Sequence, residues 1–152
     1  MLKRISACAL AFFMVMPSVS LAGPVEVAKE NAARGAKEIK RAKRLRGKRK
    51  IAALTKGLKN YSEAYMLIKS RRLENDAPDL LERISRQIKD TGNQPEIRKL
   101  RQDIRAKAIA ATEAGKYSEA YDQFERLRDL DPRDSSIDYA MRVIVSHLAE
   151  EQ

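Results

Sequence analysis

Apolar residues recur along most of the chain at the three- and four-residue intervals of a helix face. Ile97, Leu100, Ile104, Ala108 and Ala111 step by three or four, which places them on one side of an α-helix. Ala120, Phe124 and Leu127 obey the same spacing, as do Ile137, Met141, Ile144 and Leu148. Sustained period-two alternation is missing after residue 22, and Ala, Leu, Glu, Lys, Arg and Gln dominate. The pattern therefore predicts an all-α fold. Turn chemistry stands at Asn75-Asp76-Ala77-Pro78-Asp79, Thr91-Gly92-Asn93-Gln94-Pro95, Gly115-Lys116 and Asp131-Pro132-Arg133-Asp134. Between these marks helices are predicted near 25–46, 48–58, 62–74, 79–90, 96–114, 118–130 and 135–150.

The first 22 residues read as an address rather than as fold. Lys3 and Arg4 precede an apolar run from Ile5 to Met16, Pro17 breaks it, and Ser20-Leu21-Ala22 offers small residues for cleavage. A secretory signal peptide over 1–22, cut after Ala22, is the expectation, and with it a periplasmic or secreted location. The run is too short for a spanning helix, which needs about 20 apolar residues, so no transmembrane segment is expected after cleavage. Cys8 is the single cysteine. Ile5-Ser6-Ala7-Cys8 has the composition of a lipoprotein box, but the apolar run follows the cysteine instead of preceding it, so lipidation there is not expected. Beyond Ala22 there is no thiol, which excludes disulfides and Cys-held metals from the processed chain.

The charge is unevenly placed. Residues 23–50 carry eleven Lys or Arg against Glu26, Glu30 and Glu38, a net of +8, whereas residues 51–152 carry eighteen of each sign. The chain thus divides into a signal (1–22), a basic helical or partly disordered arm (23–50) and a neutral helical body (51–152). Lys37, Lys40, Arg41, Lys43, Arg44, Arg46, Lys48, Arg49 and Lys50 crowd the end of the arm, leaving a thin stripe of Ala28, Ala32, Ala36 and Ile39. Such a surface suits phosphates of lipopolysaccharide, anionic lipid, nucleic acid or an acidic protein. The arm has no aromatic for base stacking, so nucleic acid is not expected. A plain solvated segment remains the ordinary alternative for a charge run.

Tyr61-Ser62-Glu63-Ala64-Tyr65 recurs unchanged as Tyr117-Ser118-Glu119-Ala120-Tyr121. Each copy is predicted to follow a turn and open a helix, as a helix–turn–helix repeat requires. Framed from Arg101 to Asp134, the second copy supplies Ala108, Gly115, Tyr117, Ala120, Phe124, Leu127 and Pro132 at the small, turn, aromatic and proline positions of a tetratricopeptide repeat. The segment resembles that family, although Ile104 and Ala111 replace two usual aromatics. The same frame from Leu45 is looser: Ala52, Tyr61, Ala64 and Ile68 fit, Lys59 replaces the turn glycine, and Asp76 replaces the proline. The resemblance implies antiparallel hairpins stacked as a short right-handed solenoid, with close approach where Ala108 meets Ala120.

The resemblance also implies a concave binding groove lined by the first helix of each repeat. Its candidates are Gln102, Arg105, Ile109 and Thr112 in the better repeat, and Arg49, Ala53 and Lys56 in the looser one. The same residues are also what a solvated helix surface carries. Family members that capture a C-terminal carboxylate use Asn at the ninth position, where Ile109 and Ala53 stand here, so that mode is not implied. No catalytic set is legible: His147 is the single histidine, and no phosphate loop, zinc motif or nucleophile elbow is present. A non-enzymatic adaptor or scaffold binding another protein, without a cofactor or metal, is the leading expectation. A polyanion-binding protein acting through the arm is the alternative. Ile137, Ala140, Met141, Val143, Ile144, Val145 and Leu148 are too many for one helix face. Either the arm wraps the last helix, which is favoured, or an apolar strip is left for a partner or second copy.

Overall fold

The computed structural model describes residues 23–150, so the expected signal and its cleavage site lie outside the described residues. Those described form six helices and no strand: α1 Pro24–Ala42, α2 Gly47–Ser70, α3 Pro78–Gly92, α4 Pro95–Glu113, α5 Tyr117–Leu130 and α6 Ser135–Glu150. The fold is all-α. Helices α1, α3 and α4 open on proline, whose fixed φ and missing N–H suit a first turn. Helix α6 is capped by Asp134, whose Oδ1 accepts from the Ser136 N–H at 3.1 Å. None of these helices is long and apolar enough to cross a membrane.

Helix α2 is the hub. It packs on α1, α3 and α5 and touches α4, while α4 pairs with α5 and α5 with α6. Helices α3 and α4 are joined by only two residues yet barely touch, so they turn away from each other. The largest fully buried side chains come from every helix of the body: Leu54, Leu58 and Ile68 on α2, Ile84 and Ile88 on α3, Ile97 on α4, Leu127 and Leu130 on α5, Ile137 and Ile144 on α6.

Three expectations are corrected. First, the break placed between residues 58 and 62 does not exist; α2 runs unbroken through it. The two pentapeptides consequently occupy different places. Tyr117 opens α5 beyond a Schellman corner, in which Gly115 holds φ +70° and the Lys116 N–H donates to the Ala111 carbonyl at 2.9 Å. Tyr61 lies in mid-helix, because Lys59 stands where the second copy has Gly115, and Asn60 stays helical with its amide donating to the Lys56 carbonyl at 2.9 Å. Second, Ala52 is exposed and does not pack; Ala53 and Leu54 are buried in its place. A continuous helix takes its phase from Leu54, Leu58, Tyr61 and Ile68, and Ala52 stands about 200° around from Leu54. Third, the stripe of the arm is Ala28, Ala32, Gly35 and Ala42, with Ile39 half-buried and Ala36 exposed. Steps of four, three, four and three hold one face at 3.6 residues per turn, whereas two successive fours drift off it.

The seam between α1 and α2 is built on two glycines. A Cβ on Gly35 would lie 3.0 Å from the Gly57 carbonyl oxygen, and one on Gly57 would lie 3.2 Å from the Gly35 carbonyl oxygen. The helices approach closely because neither has a side chain there. The boundary drawn at residue 50 falls inside α2, so the basic segment shares a helix with the body. It packs on α2 rather than wrapping α6, whose Tyr139, Val143 and Val145 are exposed.

A basic groove between α1 and α3

Helices α1 and α3 both rest on α2 and leave between them a groove of about 680 Å³. Ala32, Ala33, Ala36 and Ile39 line it from α1, and Tyr61 of α2 joins the lining. Lys29, Lys40, Lys43 and Arg44 stand along one wall, with Arg83 and Gln87 from α3 on the other. Every charged lining residue is a cation. Toward the start of α1 a second hollow of about 590 Å³ shares Lys29 and Arg83, and there Asp76 and Asp79 join the lining. The positive potential is therefore concentrated at the Lys40–Arg44 end.

Little of this charge is neutralised within the molecule. The three carboxylates of the segment are occupied: Glu26 by Lys29 at 2.7 Å, Glu30 by Arg34 at 2.6 Å, and Glu38 by Lys56 at 3.1 Å and Arg41 at 3.6 Å. The Lys56 hydrogen bond holds the Glu38 carboxyl below its ordinary value against the opposing effect of burial, with Arg41 adding to the pull. Lys50 reaches Glu96 at 2.6 Å and ties the start of α2 to α4. Lys40, Lys43, Arg44, Arg46, Lys48 and Arg49 are exposed and pair with no carboxylate among the described residues. Of these, Lys40, Lys43 and Arg44 face the groove, while Arg46, Lys48 and Arg49 surround the α1–α2 corner.

Tyr61 is 4% exposed, and its ring lies against the Gly35 backbone. Burial pushes its phenol above the ordinary value, and the nearby Arg83 pulls it partly back. Ser62, its neighbour, is buried as well and donates to the Asp129 carbonyl at 2.8 Å, satisfying a carbonyl in the last turn of α5. The copy of that serine in the second pentapeptide, Ser118, is exposed, and Tyr117 instead stacks on His147 with ring centroids 4.6 Å apart. Identical letters perform unlike tasks. Ala64, Ile68, Ala108 and Ala120 are buried, with Phe124 and Pro132 half-buried beside them.

The residues proposed from the repeat frame are only partly brought together. Gln102 and Arg105 line a shallow groove of about 340 Å³ with Arg98, Arg101 and Asp134. Its charge is largely compensated, since Arg105 bonds Asp134 at 2.7 Å and Arg101 reaches Asp131 at 3.4 Å. Ile109 is exposed on the same helix, and the Thr112 hydroxyl is turned back to the Ala108 carbonyl at 2.8 Å. Arg49 and Lys56 lie elsewhere on α2, and Ala53 is buried. The acidic turn is likewise accounted for: Asp129 pairs with Lys59 at 3.1 Å and Asp131 with Arg133 at 2.9 Å. No metal-holding cluster occurs among the described residues.

Sequence reasoning missed Arg83 and Gln87. They step by four along the flank of the buried stripe Leu80, Ile84 and Ile88, so their placement at a groove edge is readable. What faces them is not, because it depends on how α1 and α3 meet across α2. Compared with protein-family models, curated proteins and solved structures, the chain matches none.

Proposed function

We propose that this chain is an adaptor of the cell envelope or of the secreted space, which holds an acidic partner protein in the groove between α1 and α3. One observation carries the reading: five cations line that groove, no carboxylate does, and of the five only Lys29 is paired, with Glu26. Such a surface attracts and orients a negatively charged partner before contact. The α4/α5 hairpin, with its Gly115 corner and its buried Ala108 and Ala120, supports a tetratricopeptide-like element as the scaffold behind it. The signal-like start supports export. The reading assigns no catalytic step and no cofactor.

A photo-crosslinking residue at Ala36, in the groove, and another at Ser146, on exposed α6, test the reading in envelope extracts. A protein adduct at position 36 that is absent at 146, and that disappears with Lys40→Glu/Lys43→Glu/Arg44→Glu, is expected. Equal adducts at both positions would remove the groove from the account.

The free cations Arg46, Lys48 and Arg49 at the α1–α2 corner favour a second reading, in which the basic segment binds a polyanion such as lipopolysaccharide. Counterion release then makes capture fall steeply with salt, while a partner seated on the Ala32–Ile39 floor keeps a salt-resistant part.

A further inference from the structure

The occupant of the groove is specified by three features that charge alone does not explain. The first is Tyr61. Its side chain is almost wholly buried and lines the groove, and its hydroxyl makes no hydrogen bond among the described residues. The hydroxyl is not among the fully buried unpaired polar atoms of the described residues, so it meets solvent at the groove and is free to donate to a ligand there. Arg83 lines the same groove, on a helix whose neighbouring Arg86 is already engaged by Glu82. A phenol donor next to an unpaired guanidinium is a receptor for one carboxylate.

The second feature is the floor. Ala32, Ala33 and Ala36 project little beyond the α1 backbone, so another helix could lie at close interaxial distance. The third is the length. From Lys29 to Lys43 the wall extends about 20 Å at 1.5 Å per residue, the length of a helix of about four turns. An acyl chain fits this shape poorly, because an open alanine floor encloses nothing. Single-stranded nucleic acid fits poorly too, since the one aromatic ring is packed against Gly35 rather than presented for stacking.

We infer that the α1–α3 groove binds an acidic amphipathic helix of a partner protein, about four turns long, and that Tyr61 and Arg83 together hold one of its carboxylates. This rests on the groove being the working face. The helix lays a stripe of small apolar residues on Ala32–Ile39, its flanking acids meet Lys40, Lys43 and Arg44, and a single Glu or Asp reaches the floor. Tyr61 is then a specificity residue, because a site built to donate a hydrogen bond penalises a ligand that lacks the acceptor.

The test uses the purified protein and a labelled sixteen-residue helical peptide with a Leu/Ala stripe flanked by Glu, followed by fluorescence anisotropy. Its competitors are the same peptide with Gln for Glu, phosphatidylglycerol vesicles and inorganic polyphosphate. The Glu peptide is expected to bind at least about tenfold tighter than the Gln peptide. Tyr61→Phe, which keeps the ring on Gly35, is expected to weaken the Glu peptide about tenfold and leave polyphosphate unaffected; Arg83→Gln should do the same. Equal affinity for the Gln peptide, an unchanged affinity in both variants, or stronger capture of vesicles or polyphosphate than of peptide would each overturn the inference. Lys40→Glu/Lys43→Glu/Arg44→Glu separates the two levels. If it abolishes binding while Tyr61→Phe and Arg83→Gln do nothing, the carboxylate receptor falls and the basic groove stands. If it too changes nothing, both fall.

Discussion

Replacing Gly35 with alanine decides whether the basic segment is a wall of the molecule or a loose arm. By helix propensity alone the change should stabilise, since alanine is better than glycine in a helix interior by about 1 kcal/mol. In the folded chain the new Cβ would lie 3.0 Å from the Gly57 carbonyl oxygen and 3.0 and 3.1 Å from Cδ2 and Cε2 of Tyr61. All three are closer than ordinary van der Waals contact. Neither neighbour yields cheaply. The carbonyl belongs to the interior of α2, and the tyrosine is buried. Overpacking a tight interior costs about 1–3 kcal/mol, and compression against two firm neighbours belongs to the upper half of that range. Subtracting the propensity gain leaves a net loss of about 1–2 kcal/mol.

Gly57→Ala is the internal comparison. There the nearest atoms are Cδ1 and Cγ1 of the half-buried Ile39, at 2.6 and 2.9 Å, with the Gly35 carbonyl oxygen at 3.2 Å, so Ile39 must change rotamer and this variant loses stability as well. Equilibrium urea unfolding followed by circular dichroism reads both. With an m-value of about 2 kcal/mol/M, Gly35→Ala lowers the midpoint by roughly 0.5–1 M. A midpoint that rises, as propensity demands, would mean that α1 is not seated on α2, and the groove would lose a wall.

Three further predictions follow from the same geometry. Arg72 ends α2 with φ 55°, and the Leu73 N–H beyond it donates to the Ile68 carbonyl at 2.9 Å, so Arg72→Gly relieves a left-handed residue and should raise the urea midpoint by the equivalent of about 0.5–1 kcal/mol. The Glu38 carboxyl is depressed below 4.5, so its contribution is complete above that value and is lost as pH falls through the depressed one. Urea midpoints of the native chain should therefore fall more than those of Glu38→Gln between about pH 6 and pH 3, and equal slopes would refute the Lys56 pairing. Lys40→Gln/Lys43→Gln/Arg44→Gln removes the Lys37–Lys40 repulsion within α1 together with cations that favour its C-terminal turn, so stability at low salt should change by less than about 0.5 kcal/mol in urea unfolding while partner capture weakens.

The helical content was legible because its signals are local. Pro24, Pro78 and Pro95 open helices, Gly115 closes one, and the runs Ile97–Ala111 and Ile137–Ile144 keep helical phase. The unbroken α2 was hidden by the repeated pentapeptide, which invites the same structure at both copies. What separates the copies is the residue two before each tyrosine: Gly115 adopts φ +70° and ends α4, whereas Lys59 stays helical and pairs with Asp129. The stripe of the arm was displaced by one residue for another reason. Gly35 carries no side chain and so gives no apolar signal, yet it makes the closest contact of the seam. The groove itself was legible only as charge. Lys40, Lys43 and Arg44 stand out in the chain, but Tyr61 and Arg83 join them through a meeting of three helices that no spacing encodes.

The placement of that charge bears on why it is there. Lys37, Lys40 and Arg41 stand at three- and four-residue intervals in α1, where like charges repel along a helix, and Lys43 and Arg44 follow directly beyond its end. Lys40 and Arg41 recover part of the cost by standing at the C-terminal turn of α1, where the helix dipole favours cations. The glycine seam recovers more by docking the opposite face. Solubility asks for none of this, since charges of both signs dispersed over the surface would serve it without repulsion. Concentrating unpaired cations beside a groove therefore costs the folded chain repulsion that dispersal would avoid. Strain of that kind persists where binding a partner relieves it, because a ligand that favours the folded state returns the stability the empty site gives up.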